Sequence, residues 1–270
     1  MQATTIISKT QPEHRIVHKL LNEPVKVVVV GCGGTGSAIV SGLPHLHQAM
    51  VAFGHPGGLA VTLVDADRIS EANCVRQPFS ESEIGLSKAV VLASRVNMFW
   101  GLRWQAREEY VDERWSLATD IIIGCVDTRG ARKKIAESPM YGNASYYLDI
   151  GNSADSGQFI LGQPARSTNL ADEMRLPTAA ELFPEIVNAA LDRRDSLPSC
   201  SAVEALEKQE PFVNQTLAYH ALALLTRMFR HGSLTYHGGF LNLATGRVQP
   251  LPVDPAVWKR MKGSRTSRTK

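Results

Sequence analysis

Residues 25–37 read VKVVVVGCGGTGS, and the fold is decided there. Val25 to Val30 is a nearly unbroken β-branched run, the pattern of a parallel strand buried on both faces rather than one with a wet side. Gly31-Cys32-Gly33-Gly34-Thr35-Gly36 follows directly, and from about Ser37 to Leu43 the chain has helical character. Strand, glycine turn and helix in that order open a βαβ unit. Backbone N–H groups at a helix start are unpaired and the helix dipole adds partial positive charge, so the turn attracts phosphate oxygens. Glycines let the phosphate come close. Alone, such a turn fits any nucleotide-binding sheet protein, nicotinamide enzymes included.

Outward from this unit, a second apolar strand is expected over Leu59 to Val64, ending in Asp65-Ala66-Asp67. Between helix and strand lies His45 to Gly58, with Gly54, Pro56, Gly57 and Gly58, which reads as a helix extension plus a loop. Ser87 to Phe99 has apolar residues at helical spacing, and Asp120 to Cys125 is a second buried-strand signal, followed by Asp127 and a short helix from Arg129 to about Glu137. Tyr146 to Ile150 and Gln158 to Leu161 flank Gly151-Asn152-Ser153 and predict a pair of antiparallel edge strands. From Pro164 to Pro211 the chain carries five prolines and polar clusters, with a helical patch only near Thr178 to Phe183. Such an excursion reads as a lid or partner-binding loop rather than a core element. Asn214 to Phe229 predicts an apolar helix returning to the sheet, and Tyr236 to Leu243 and Arg247 to Leu251 predict closing strands. The expected fold is α/β: a Rossmann-like, mostly parallel sheet flanked by helices, with an antiparallel C-terminal extension and a long crossover loop. One domain is expected over residues 1–258, with 164–211 as its excursion.

The 270 residues are 44% hydrophobic and 20% charged, with four cysteines, which excludes a disordered chain, a collagen-like repeat and a disulfide scaffold. No apolar run approaches the roughly 18 residues of a membrane span, and MQATTIISKTQPEHR at the start lacks a signal-peptide stretch. A cytoplasmic location and no membrane partner are expected. The net charge is +3, yet Lys259 to Lys270 hold six basic side chains and no acid. The basicity belongs to a tail, expected to be solvated and disordered, so a nucleic-acid partner is not expected.

Three features turn the reading away from hydride transfer. The turn is spaced G-x-G-G-T-G; the acid Asp65 lies about 30 residues beyond it, against roughly 20 in the dinucleotide fingerprint; and that acid opens the run Asp65-x-Asp67. Ser70 to Lys88 then places Asn73, Arg76, Gln77 and Lys88 just past a strand's carboxyl end, where open α/β sheets bind ligands. With Asp127 after another strand, the set holds an acid for ribose, two cations for a polyphosphate and a separate carboxylate for Mg²⁺. Phosphoryl and nucleotidyl transfer need these parts, because catalysis there is mainly positioning and charge neutralisation.

The combination GxGGTGS, D-x-D, N-x-x-RQ, G-x-x-K and C-x-D-x-x-x-x-R resembles the ThiF, MoeB and ubiquitin-activating-enzyme superfamily, over Val25 to Arg132 and more weakly to Phe229. Within it, HPGGLAVTLVDADRISEANCVRQPF and IGLSKAVVLASRVN are similar to the ThiF-family member of the plasmid-associated PRTRC system. The resemblance implies adenylation, with ATP and Mg²⁺, of the C-terminal glycine of a small ubiquitin-like protein, by a homodimer. It implies a phosphate cradle at Gly31, Gly33, Gly34, Thr35 and Gly36, and Asp65 on the ribose with Asp67 beside it. Asn73, Arg76 and Lys88 would contact phosphate, Gln77 would fix the loop and Asp127 would hold Mg²⁺. Each has an ordinary alternative: Asp65 and Asp127 as helix caps, Arg76 in a surface ion pair, Lys88 as a first-turn helix residue.

The chain also departs from the family pattern. It has no CxxC pair, so no zinc is expected. Val75 and Thr128 stand where relatives often carry asparagine. Arg15, on the amphipathic segment Glu13 to Leu21, is the nearest counterpart of an arginine that some relatives send into the neighbouring subunit's site. Cys32 and Cys125 read as core residues and Cys74 as filler. Cys200 lies about where relatives place a cysteine that accepts the activated acyl group, and a loop cysteine without chemistry is the alternative. Three competing readings remain: a nucleotide-binding interaction module without catalysis, ATP-dependent modification of a tRNA base, and a nicotinamide dehydrogenase, which Arg76, Lys88 and Asp127 disfavour.

Overall fold

The computed structural model describes residues 12–166, 169–194 and 210–263. Five parallel strands form most of its sheet: β2 (Val25–Val30), β3 (Leu59–Val64), β4 (Gln105–Arg107), β5 (Ile121–Gly124) and β6 (Tyr146–Asn152). An antiparallel extension of β7 (Ser156–Gly162), β9 (Tyr236–Asn242) and β10 (Arg247–Pro252) completes eight strands in the order β10-β9-β7-β6-β5-β2-β3-β4. A separate small sheet pairs β1 (His14–Arg15) with β8 (Ser233–Leu234). The fold class expected from the sequence is the one found.

Strand β2 shows why. Val27 and Val29 join one buried cluster and Val28 and Val30 another, so alternate side chains enter opposite helical layers. On the first face lie α2 (Gly34–Ala52), α4 (Lys88–Trp100) and α8 (Val213–His231), which bring Ile39, Leu43, Leu92, Leu217 and Leu224 onto the sheet. Gly42 lets α2 and α8 meet, since a Cβ there would lie 2.3 Å from Leu222 Cδ1. On the second face, α5 (Arg129–Glu137) and α6 (Pro139–Asn143) place Ile135 and Met140 against Ile122 and Tyr147.

Helix α2 runs to Ala52 through Pro44, so the helix extension expected from His45 onward is present and the loop is confined to residues 53–58; other expectations need correction. Proline removes one helical hydrogen bond, but burial of Leu43, Pro44, Leu46 and Met50 carries the helix past it. Strands β6 and β7 are interior, because β5 takes the free side of one and β9 that of the other; β4 and β10 are the edges. The excursion begins as core: Leu176, Ala179 and Leu182 are buried, and Gly162 of β7 would place a Cβ 2.4 Å from Thr178 Cα. Helix α7 (Ala179–Leu182) is capped by Thr178, and Glu181 ion-pairs with Arg175 at 2.6 Å. Finally, α9 (Pro255–Gly263) extends past residue 258, so the first five residues of the basic tail are helical. Trp258 anchors it, buried and donating Nε1–H to Pro252 O at 3.1 Å.

Candidate functional site

In the sheet order, β2 lies between β3 and β5, the place where successive connections leave in opposite directions and a crevice opens at the strands' carboxyl ends. A cleft of about 1010 Å³ occupies that place. Gly31, Gly33, Gly34, Thr35, Asp65, Asp67, Asn73, Arg76, Gln77, Lys88 and Asp127 all line it. They come from the ends of three strands and the helices that follow.

The glycine turn is shaped by contact as much as by backbone freedom. Gly31 has φ +91°, and a Cβ there would sit 2.8 Å from Cys125 O, so only glycine allows β2 to end this close to β5. Gly36 does not line the cleft: its Cβ would fall 1.8 Å from Gly31 O, and its place is in packing helix α2 onto the turn. This corrects the expectation that Gly36 belongs to the cradle. Gly33 is the N-cap of α2, no side chain caps that helix, and nothing lies within 4 Å of where a Gly33 Cβ would stand. The protein's own packing leaves that space open, over the start of a 19-residue helix.

Asp65 fastens the turn. Its Oδ2 accepts the Cys32 N–H at 2.5 Å and its Oδ1 the Asp67 N–H at 2.7 Å. Burial outweighs those two bonds and raises its pKa above the usual carboxylate value. It caps no helix. Neither does Asp127; Thr128 caps α5, accepting the Ala131 N–H at 3.2 Å.

Asn73 and Arg76 sit on a short helix absent from the sequence reading, α3 (Glu71–Arg76). Its turn explains the N-x-x-R spacing, since residues three apart share a helical face. Asn73 Oδ1 accepts the Ser70 N–H at 2.9 Å, which leaves its NH₂ end as the donor a ligand would meet. Lys88 is the first residue of α4, behind the Ser87 cap. Its side chain is 8% exposed and its ammonium lies 3.0 Å from Asp67 Oδ2, so two expected site residues hold each other. Tyr110, 72% exposed, donates its hydroxyl to Asp67 Oδ1 at 3.3 Å across the mouth of the cleft.

Polar lining residues that escaped the sequence reading include Arg68, Glu109, Tyr110, Lys134, Asn152 and Asn214. Asn214 had a legible signal, a polar residue opening an otherwise apolar helix. Asn152 ends strand β6, Lys134 lies on α5, and Arg68, Glu109 and Tyr110 lie between the named elements. Arg15 does not line this chain's cleft; its side chain is 86% exposed and 3.7 Å from Glu13. Cys125 is half-buried and lines the cleft, where a core position was expected, while Cys32 is fully buried. Burial raises the pKa of both thiols, so neither is an activated nucleophile. Cys200 lies outside the described residues.

Among the described residues, no group of three or more His, Cys, Asp or Glu side chains is arranged to hold a metal. Mg²⁺ takes one or two carboxylates and completes its shell with water and substrate phosphates. Asp127, a single carboxylate lining the same cleft as the glycine turn, fits that mode.

No curated protein matches the chain in sequence. Among solved structures, E. coli MccB with ATP superposes with a TM-score of 0.53 at 19% identity, covering 87% of this chain and 65% of MccB. E. coli MccB with succinimide gives 0.55 at 18%, over the same shares. PaaA gives 0.56 at 13% identity, covering 85% of this chain and 64% of its own. The chain thus spans less than two thirds of the length of these proteins, and the likeness shows the fold. The sequence profile of the ThiF family matches residues 13–256. With that match covering nearly the whole chain, and with the cleft lying at the glycine turn, the chain belongs to the ThiF family.

Proposed function

We propose that this protein uses ATP to adenylate the C-terminal glycine carboxylate of a small ubiquitin-like protein. The observation that carries the reading is the convergence of Asp65, Arg76, Lys88 and Asp127 on one cleft with the glycine turn. Family membership and the ATP-bound state of its structural neighbour MccB support it. The resemblance to the PRTRC-system protein adds a plasmid-borne system to the same proposal, and the wider superfamily resemblance adds a homodimer; the cytoplasmic setting follows the sequence reading.

In the proposed reaction a terminal carboxylate oxygen attacks the α-phosphorus of ATP. The new P–O bond gives the acyl-adenylate as the bond to the bridging oxygen breaks, and pyrophosphate leaves with that electron pair. No general base is required, because a carboxylic acid of ordinary pKa is ionised at neutral pH. Charge grows on the phosphate oxygens in the transition state, and Arg76 and Lys88 would offset it. Asp127 would hold Mg²⁺, which when bound neutralises phosphate charge and fixes phosphate geometry. The Gly33 opening and the uncapped start of α2 receive phosphate oxygens, and Asp65 accepts from the ribose hydroxyls. Cys200 is the proposed acceptor if a thioester follows.

Lys88→Ala and Asp127→Ala test the site. Each is expected to lower ATP–pyrophosphate exchange at least about a hundredfold, as loss of an electrostatic transition-state contact does, while the circular dichroism spectrum stays native. Unchanged exchange in both variants rejects the assignment.

A further inference from the structure

Asn214 stands at the second position of α8, and its amide reaches across to the opposite side of the glycine turn. Its Oδ1 accepts the Thr35 hydroxyl at 2.7 Å, and both residues are buried, 8% and 6% exposed. Its Nδ2 lies where a Cβ on Gly34 would stand only 2.6 Å away, so Gly34 lacks a side chain in order to admit this amide. The first turn of α2 is therefore held by the first turn of another helix. A hydroxyl and an amide buried together at such a place form a strong geometric constraint, since leaving either unpaired costs more than the bond itself contributes.

The approach to α8 is fixed as well. Phe212 precedes it with φ +69°, a left-handed conformation unfavourable for a bulky side chain, and Glu210 N–H donates to Ala154 O at 2.7 Å. Strain of this kind persists only where surrounding contacts impose it. Phe212 is the residue before Val213, so the chain enters α8 from this conformation two residues before Asn214.

We propose that Asn214 is a positioning residue for nucleotide phosphate: by holding Thr35 and Gly34, it sets the first N–H groups of α2 in the orientation that receives phosphate oxygens. Nucleotide affinity at the turn then depends on how α8 is seated. The inference rests on the reading of the cleft as an ATP site. It goes further by assigning a role to a residue outside every motif of the sequence.

The test is equilibrium dialysis of the full chain with ATP and, separately, with adenosine, which keeps base and ribose but lacks phosphate. Asn214→Leu and Thr35→Val are each expected to weaken ATP by about tenfold or more, the scale of one lost buried hydrogen bond. Adenosine affinity stays within about twofold, the ordinary scatter for a site left intact. Both variants remove the Thr35–Asn214 bond, so their losses are expected to be less than additive in the double variant. Thr35→Ser, which keeps the hydroxyl, recovers most of the ATP affinity. A parallel loss of ATP and adenosine, or additive losses in the double variant, would show only structural damage and overturn the proposal. Wild-type protein that binds no ATP removes the ATP-site reading and this inference together. Wild-type binding with unchanged variants removes this inference alone.

Discussion

At the scale of single residues, the two glycines that bracket the turn act differently, and substitution separates them. A methyl at Gly33 meets no protein atom, and its φ of −75° suits any residue. Gly33→Ala is therefore expected to leave the melting temperature within about 2 °C of wild type, the range of a neutral surface change, while ATP affinity falls because the methyl takes space a phosphate needs. Gly36→Ala drives a methyl to 1.8 Å from Gly31 O, so calorimetry should show a loss of stability of about 3 kcal/mol or more. Asp65 gives a pH test. Its pKa is raised in the fold by burial, so below that pKa its carboxyl is neutral and a weaker acceptor for ribose hydroxyls. ATP affinity should decline on acidification with a midpoint above the ordinary value of 3.8, and Asp65→Asn should bind weakly with that step gone. A wild-type profile flat down to pH 4 would remove Asp65 from the ribose.

At the scale of elements, the strands and long helices were legible because burial on both faces or one stripe leaves a periodic trace; β2 and β3 begin and end where their apolar runs do. The short pieces were not. Strand β4 has three residues, β1 has two, and α3 has no buried residue, so none carries enough pattern to read. The excursion was misread for a related reason: its anchors Leu176, Ala179 and Leu182 are scattered among polar residues, and only tertiary contact shows them buried. A further contact there is testable. In the 3₁₀ turn Ala189–Arg194, Asp192 accepts the N–H groups of Arg129 at 2.9 Å and Gly130 at 2.8 Å, capping α5 from outside. Those two backbone bonds and the Arg129 guanidinium outweigh desolvation and lower its pKa. A depressed carboxylate stabilises the fold fully above its unfolded pKa and loses that contribution as pH falls through the folded value. Asp192→Ala should then cost about 1 kcal/mol at neutral pH in urea unfolding, and the difference should close below the ordinary value of 3.8.

At the scale of the whole molecule, the sheet brings together residues as far apart as Gly31 and Asn214, and the sequence foretold the first set but not the second. Motif residues follow strand ends, where chain order reports spatial order; Asn214 arrives from the last long helix, and only packing places it. The antiparallel extension carries a second pH dependence. His237 is fully buried in β9, donates Nδ1–H to Leu161 O at 2.6 Å, faces the Trp258 ring edge-on, and has its pKa lowered by burial to about 4. As pH falls from 6.5 the unfolded chain takes up this proton first, so stability drops until the folded group titrates near 4. The full loss is about 3 kcal/mol. His237→Asn keeps a donor without the titration, and its stability should fall less steeply over that range; an identical acid limb would assign the loss elsewhere.

The proposed joining of AMP to a terminal carboxylate in the cleft can be followed by incubating the protein with a small ubiquitin-fold partner ending in glycine and ATP labelled at either the α- or the γ-phosphate. Label from the α-phosphate should appear on the partner, label from the γ-phosphate should leave as pyrophosphate, and a partner with an amidated C-terminus should take up neither. Release of the γ-label as orthophosphate, or α-label retained equally by the amidated partner, would contradict the account.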